Sequence, residues 1–285
     1  TGKFQEQFNA MFWESSPYSW PVVGWPSDLD GITRAEALAF FDTYYAPNNL
    51  TAALVGDFDP AEARALAERY FGRLERGERP PARPRTREMP QLAEKRMVAY
   101  AETNPQVTIR YHSVPDGHVD EPPLVVLGQL LNGRTGRLYK ALVEEQEVAT
   151  GAGGGQNGLK FEGMFVLQGT AKEGRTPEEV EQALYAEIER LKTDPVEPRE
   201  LQKVKNQNAA SNFRGLRSNF GLMNQLLVRD AWRGWETINT DQALYDAVTA
   251  EDITRVANAY FAPENRAVAV YYRKESDEAP DPRLA

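Results

Sequence analysis

Two stretches of this chain, 216 residues apart, carry nearly the same text: YYAPNNLTAALVG from Tyr44 and YFAPENRAVAVYY from Tyr260. At that offset Tyr44, Ala46, Pro47 and Asn49 meet Tyr260, Ala262, Pro263 and Asn265, four identities in six positions. Thr33 and Thr249 also coincide, each with an acid three residues on, Glu36 and Asp252. Such a pair is a capping box, in which hydroxyl and carboxylate satisfy amides at a helix start that have no partner inside the helix. Between cap and proline both copies carry an i, i+3, i+4, i+7 stripe: Ala37, Phe40, Phe41, Tyr44 and Ile253, Val256, Ala257, Tyr260. The proline stops each helix, and a strand is predicted after it, Leu50 to Val55 and Ala267 to Tyr272. Upstream, Phe4 falls on Phe220 in a second helical stretch. Two unrelated helix-turn-strand units would share the pattern; the identities and the matched caps favour duplication.

Duplication leaves the first copy short. Residues Glu75 to Gln91, ERGERPPARPRTREMPQ, are rich in proline and charge and read as a linker. If a complete unit begins there, its twin lacks about 125 residues at its start. The chain also opens inside an amphipathic helix (Phe4, Phe8, Met11, Phe12), which suggests a start in the middle of something larger. The expected organisation is therefore 1–74 as the remnant of a first unit, 75–94 as linker, 95–275 as a complete second unit and 276–285 as a tail.

Within 95–275, strands are predicted at 96–101, 107–114, about 149–157 and 161–171, with helices over EPPLVVLGQLL, RLYKALVEEQ, 176 onward, 198–214, 219–231 and 249–260. Paired strands followed by a run of helices imply an α+β fold: an antiparallel sheet covered by helices, in a duplicated unit whose first copy is truncated. In the first copy, Asp59-Pro60-Ala61-Glu62 starts a helix that Gly72 ends.

Composition narrows the function. The net charge of -9 disfavours a nucleic-acid partner, which needs a dense basic face. No apolar run approaches the roughly 18 residues that span a bilayer, and TGKFQEQFNAMF lacks a basic end followed by an apolar run. With no cysteine there is no disulfide, thiolate metal site or Cys nucleophile.

SSPYSWPVVGWPSDLDGIT, YYAPNNLTAALVGDFDP and GRTGRLYKALVEEQEVATGAG, in that order, resemble the M16 zinc metallopeptidases, and the short bacterial members most. The resemblance runs from about residue 3 to 273. It implies two similar α+β domains facing each other across a peptide-binding chamber, with zinc held in the first by His-x-x-Glu-His and a later Glu. It implies a peptide substrate, and a homo- or heterodimer with another M16-type subunit. By family habit it implies the bacterial periplasm, with the cytoplasm left open.

This chain departs from the family motif. Its two histidines are His112 and His118; the second reads His-Val-Asp-Glu-Pro, and the pair does not fit one helix face. No catalytic residue and no metal ligand is assigned, and no zinc is expected on the chain, although the intact family enzyme holds it. In the second unit the matching helix, with Val126, Leu127, Leu130 and Leu131, reads as core. Active members also carry an Arg and a Tyr, seven residues apart, that hold substrate. The resemblance places these at Val143 and Thr150, so the pair is substituted here. The chain is then expected to be inactive alone, as part of a zinc-dependent endopeptidase; a non-catalytic peptide-binding or scaffold subunit of a heteromeric complex is the alternative.

Other candidates are weaker. GAGGGQNG from Gly151 lacks the lysine and helix of a phosphate loop. It reads as a strand approached closely by another backbone, either a bound peptide facing Gly153 and Gly154 or a plain bulge. Arg134 and Arg137 flank a turn, with solvent the default and a substrate the alternative. Glu144, Glu145 and Glu147 read as a solvated helix face, and Trp20 and Trp25 as a packed irregular segment or a chamber lining.

Overall fold

The computed structural model describes residues 2–78 and 81–274. In chain order the elements are α1 (Gly2–Phe12), α2 (Pro26–Gly31), α3 (Arg34–Tyr44), α4 (Pro60–Phe71), β1 (Lys95–Ala101), β2 (Gln106–Ser113), α5 (Glu121–Leu131), β3 (Ala149–Gly158) and β4 (Gly163–Ala171). These are followed by α6 (Pro177–Thr193), α7 (Pro198–Gly215), α8 (Asn219–Trp232), α9 (Asp241–Ala247), α10 (Ala250–Tyr260) and β5 (Arg266–Arg273). They form two compact units that interleave along the chain. The first holds the residues up to Trp20, Thr86–Ala209 and those from Gln242 on; the second holds Pro21–Arg85 and Ala210–Asp241.

The first unit is built on one sheet of order β1-β5-β2-β4-β3. Alternation along β2 sends Val107, Ile109 and Tyr111 to one face and Thr108, Arg110 and His112 to the other. The first face packs under α5, α6 and α10 in a core that includes Leu124, Leu127, Leu131, Phe165, Leu184, Ile253 and Val256. Full burial of each such side chain contributes about 1.5–3 kcal/mol. The opposite face receives α1, whose Phe4, Phe8 and Phe12, one turn apart, cover Ala267, Ala269 and Tyr271 of β5 and Met97 and Ala99 of β1. Three strand pairs are antiparallel as expected, but β1 and β5 run parallel. Parallel neighbours need a long crossover, and here nearly the whole unit lies between the two strands.

The duplication is visible bond by bond. Residues Arg34–Tyr44 and Ala250–Tyr260 are both helices, and Pro47–Asn49 and Pro263–Asn265 both form a short 3-10 turn, each pair at the offset of 216. Both capping boxes form, Thr33 with Glu36 and Thr249 with Asp252. The Asn49 side-chain amide donates to the Tyr44 carbonyl at 2.8 Å, and Asn265 does the same to Tyr260 at 2.8 Å.

Two expectations need correction. Leu50 to Val55 forms no strand, whereas its counterpart β5 does. A strand requires partners on its hydrogen-bonding edges, and β5 has β1 and β2 on either side; no paired strand is found in the second unit among the described residues. The predicted helix over RLYKALVEEQ is a wider coil at Tyr139–Glu145, where the Gln146 amide reaches back five residues to the Ala141 carbonyl.

The second unit is thinly packed. Phe40 and Phe41 are each 56% exposed, whereas their counterparts in the second copy, Val256 and Ala257, are 0% exposed. Phe40 stacks on Tyr44 and Phe41 on Tyr45, so the helix carries an aromatic stripe without a core over it. In this unit α8 lies beside the segment after α3, with the Thr51 hydroxyl donating to Asp230 at 2.7 Å. By the offset, α8 is the counterpart of α1 (Phe220 matches Phe4), and Thr51 is the counterpart of Ala267, which α1 covers.

Candidate peptide-holding face

The sheet of the first unit is covered unequally. On the α1 face its register sets up rows across β2, β4 and β3: Gln106, Thr170 and Gly151; Thr108, Gln168 and Gly153; Arg110, Val166 and Gly155; His112, Met164 and Asn157. Helix α1 lies over the β1–β5 side of this face and packs against Met164 of β4, while α5 and α6 cover β3 and β4 from the opposite face. The β4–β3 half ends at β3, an edge strand paired only with β4. Three of its four rows end in a glycine, so few side chains stand on the β3 side of this face.

The glycines of β3 answer to neighbours within the unit. A Cβ on Gly128 of α5 would stand 2.8 Å from Gly155 Cα, so this is where helix and strand backbones come closest. A Cβ on Gly154 would meet Leu167 Cδ2 at 2.5 Å and the Val166 carbonyl oxygen at 2.6 Å. Around Gly151 there is nothing within 4 Å. The free edge is partly closed at Gly154, whose amide donates to Asn132 Oδ1 at 3.0 Å and whose carbonyl accepts from Asn132 Nδ2. The Asn132 side chain thus pairs as a further strand would. Gly153 lies beside it, its missing Cβ 3.0 Å from Asn132 Oδ1. Asn132 directly follows the predicted helix EPPLVVLGQLL, and nothing in its spacing signals this role.

The remaining sequence candidates are scattered. Val143 is half-buried against the main core. Thr150 is exposed at the bulge in β3, its hydroxyl 3.4 Å from the Thr170 carbonyl. Arg137 holds Glu200 through Nε at 3.1 Å and Nη2 at 2.8 Å, so it ties the turn to α7 and its guanidinium rises above its usual range.

Among the described residues neither histidine falls in a group of His, Cys, Asp and Glu side chains placed to hold a metal ion. The His112 ring is stacked on Phe12 at 4.0 Å with 6° between planes, Trp13 stands edge-on, and both ring nitrogens lack a hydrogen-bond partner. Burial pushes it down to about 4. His118 Nδ1 accepts the Asp120 amide at 3.1 Å. Asp120 itself takes Tyr260 Oη at 2.6 Å and Arg255 Nη1 at 2.7 Å, binding the start of α5 to α10. Burial pushes the Asp120 carboxyl up, but these two partners outweigh it and hold it below its usual range. Among the described residues no group of three His, Cys, Asp or Glu side chains is placed to hold a metal ion. Zinc of the kind the resemblance implies does not fit the described residues.

Residues 31–208 match the peptidase M16 inactive domain, which is more than half of the chain. The chain belongs to that family. The zinc protease PqqE of Helicobacter pylori is 26% identical over 252 residues, covering 86% of this chain and 56% of that protein. The chain thus spans about half the length of this relative. A protease from Helicobacter pylori shares the fold with a TM-score of 0.88 at 22% identity, over 95% of this chain and 67% of that one. The periplasmic protease PqqL of Escherichia coli does so with a TM-score of 0.76 at 15% identity, over 99% and 33%. M16 membership makes the chain homologous to zinc proteases. No described helix is long and apolar enough to cross a membrane.

Proposed function

We propose that these 285 residues are the peptide-holding, non-catalytic part of an M16-type zinc endopeptidase, joined to the end of its catalytic domain. The observation that carries the reading is the contrast between two copies of one helix. The stripe of α10 is sealed in a core, and the same stripe of α3 is bare. An aromatic helix face of this kind is unstable against water unless another element covers it. In this reading the cover is the rest of the catalytic domain, which carries the zinc motif on polypeptide outside these residues. In this reading the residues present bind and orient peptide on the sheet face, and the zinc-bearing part supplies the reacting groups.

Val143 and Thr150 refine the reading. Val offers no donor to a peptide carbonyl, and the Thr hydroxyl reaches less far than that of a Tyr. The substrate-holding Arg and Tyr would then come from a second M16-type subunit, in a dimer. The periplasmic relative favours that compartment. The test is the reading frame upstream of Thr1. This account expects it to encode His-x-x-Glu-His. A frame encoding a similar domain without that motif would replace it with the alternative, a non-catalytic peptide-binding or scaffold subunit.

A further inference from the structure

Arg110 is a half-buried cation on the α1 face of the sheet. It sits on β2 at the foot of α1, with Val166 and then Gly155 beside it in the same row. Its guanidinium lies 4.3 Å from the Phe8 ring centroid and 5.8 Å from that of Phe12. Its polar contacts are two weak ones to neutral amides, Nη1 to Asn9 Oδ1 at 3.4 Å and Nη2 to Gln5 Oε1 at 3.3 Å, the latter at the solvent edge. Nε is buried with no partner.

Four other arginines of the same unit are held differently. Arg96 is held by Glu181, Arg137 by Glu200, Arg255 by Asp120 and Arg266 by Glu94. Arg110 has no carboxylate partner among the described residues. A largely buried cation without a counter-charge is costly, and a carboxylate supplied from outside removes that cost. Burial alone lowers its pKa to about 10, so it remains charged at neutral pH.

We propose that Arg110 captures the C-terminal carboxylate of an extended peptide lying on the β4–β3 floor. The floor determines which carboxylate. A chain running from the β3 edge along the row Gly155, Val166, Arg110 meets the wall of α1 at the guanidinium, so it arrives with its end. The glycine at the row's start lets the backbone lie close to the sheet. Gln168 and Met164 flank that path in the two adjacent rows, and Gln168 offers a side-chain partner to the amides that precede the terminus. The proposal rests on the peptide-holding reading and names the feature of the peptide that is recognised.

The test titrates N-acetyl-tetra-alanine as the free acid into the isotope-labelled 285-residue chain, following the Arg110 Nε–H signal and the β3 and β4 backbone amides by NMR. The C-terminal amide of the same peptide, and an amidated peptide with one internal Asp, serve as comparisons. The expected result is a saturable shift of the Arg110 signal with the free acid, about tenfold weaker or absent with either amidated peptide. Arg110→Gln is expected to lose the binding and Arg110→Lys to keep part of it, with melting curves confirming that both fold. Equal response to acid and amide, or to the internal Asp, overturns the assignment, as does undiminished binding by a folded Arg110→Gln. Shifts confined to β3 and β4 amides overturn Arg110 alone and leave the peptide-holding reading standing. If no signal moves with any peptide, both fall.

Discussion

At the residue scale, the most informative side chain is His112, because it is buried as a neutral ring. Burial lowers its folded pKa to about 4, Glu88 pulls it up, and Lys95 pushes it down. Nearby Arg110 adds a further positive charge under α1. The unfolded chain takes up this proton near pH 6.5 and the folded chain near 4. Stability from this group is therefore complete above about pH 6.5, falls as the pH drops toward 4, and levels off below that. The expected size is at most about 3 kcal/mol. Denaturant melts of the chain and of His112→Phe between pH 4 and 7 check this. The parent should lose stability across the window by more than the variant does; parallel pH curves would contradict it. The sequence placed His112 at a strand end and denied it a ligand role, but it gave no sign of the stack on Phe12, which brings together residues from α1 and β2.

At the element scale, the capped helices were the most legible parts of the chain. Thr33 and Thr249 form the predicted boxes, and Thr176 forms a third with Glu179, because this signal is local and needs no partner beyond the first turn. The strand at Leu50–Val55 was misread because its apolar pattern is local while strand formation depends on neighbours. The glycines of β3 were recognised as a place of close approach, but only the structure shows that the approaching backbone is α5 at Gly128. This separates two substitutions that sequence alone treats alike. Gly154→Ala puts a Cβ against Leu167 and the Val166 carbonyl and should cost about 1–3 kcal/mol. Gly151→Ala meets nothing within 4 Å and should stay within about 0.5 kcal/mol of the parent. Thermal melts of both variants decide it, and equal losses would mean that the packing of β3 is misplaced.

At the scale of the whole molecule, the offset of 216 predicted that one copy would be complete and the other short. The structure adds the consequence in burial. Positions that match at this offset differ in environment, with Val256 at 0% exposure against Phe40 at 56%. In the 285-residue chain Ile253→Ala should cost about 2–5 kcal/mol, while Phe40→Ala should cost under about 0.5. If the longer polypeptide covers α3, Phe40→Ala should cost about 3–5 kcal/mol there, as truncation of a buried aromatic does. Chemical denaturation of both forms checks the change of sensitivity.

The most direct test of the central claim is zinc content, measured side by side on the purified 285-residue chain and on the intact polypeptide translated from its gene. The account predicts one zinc per intact molecule and essentially none on the chain alone. Stoichiometric zinc on the 285 residues, or none on the intact polypeptide, would contradict it.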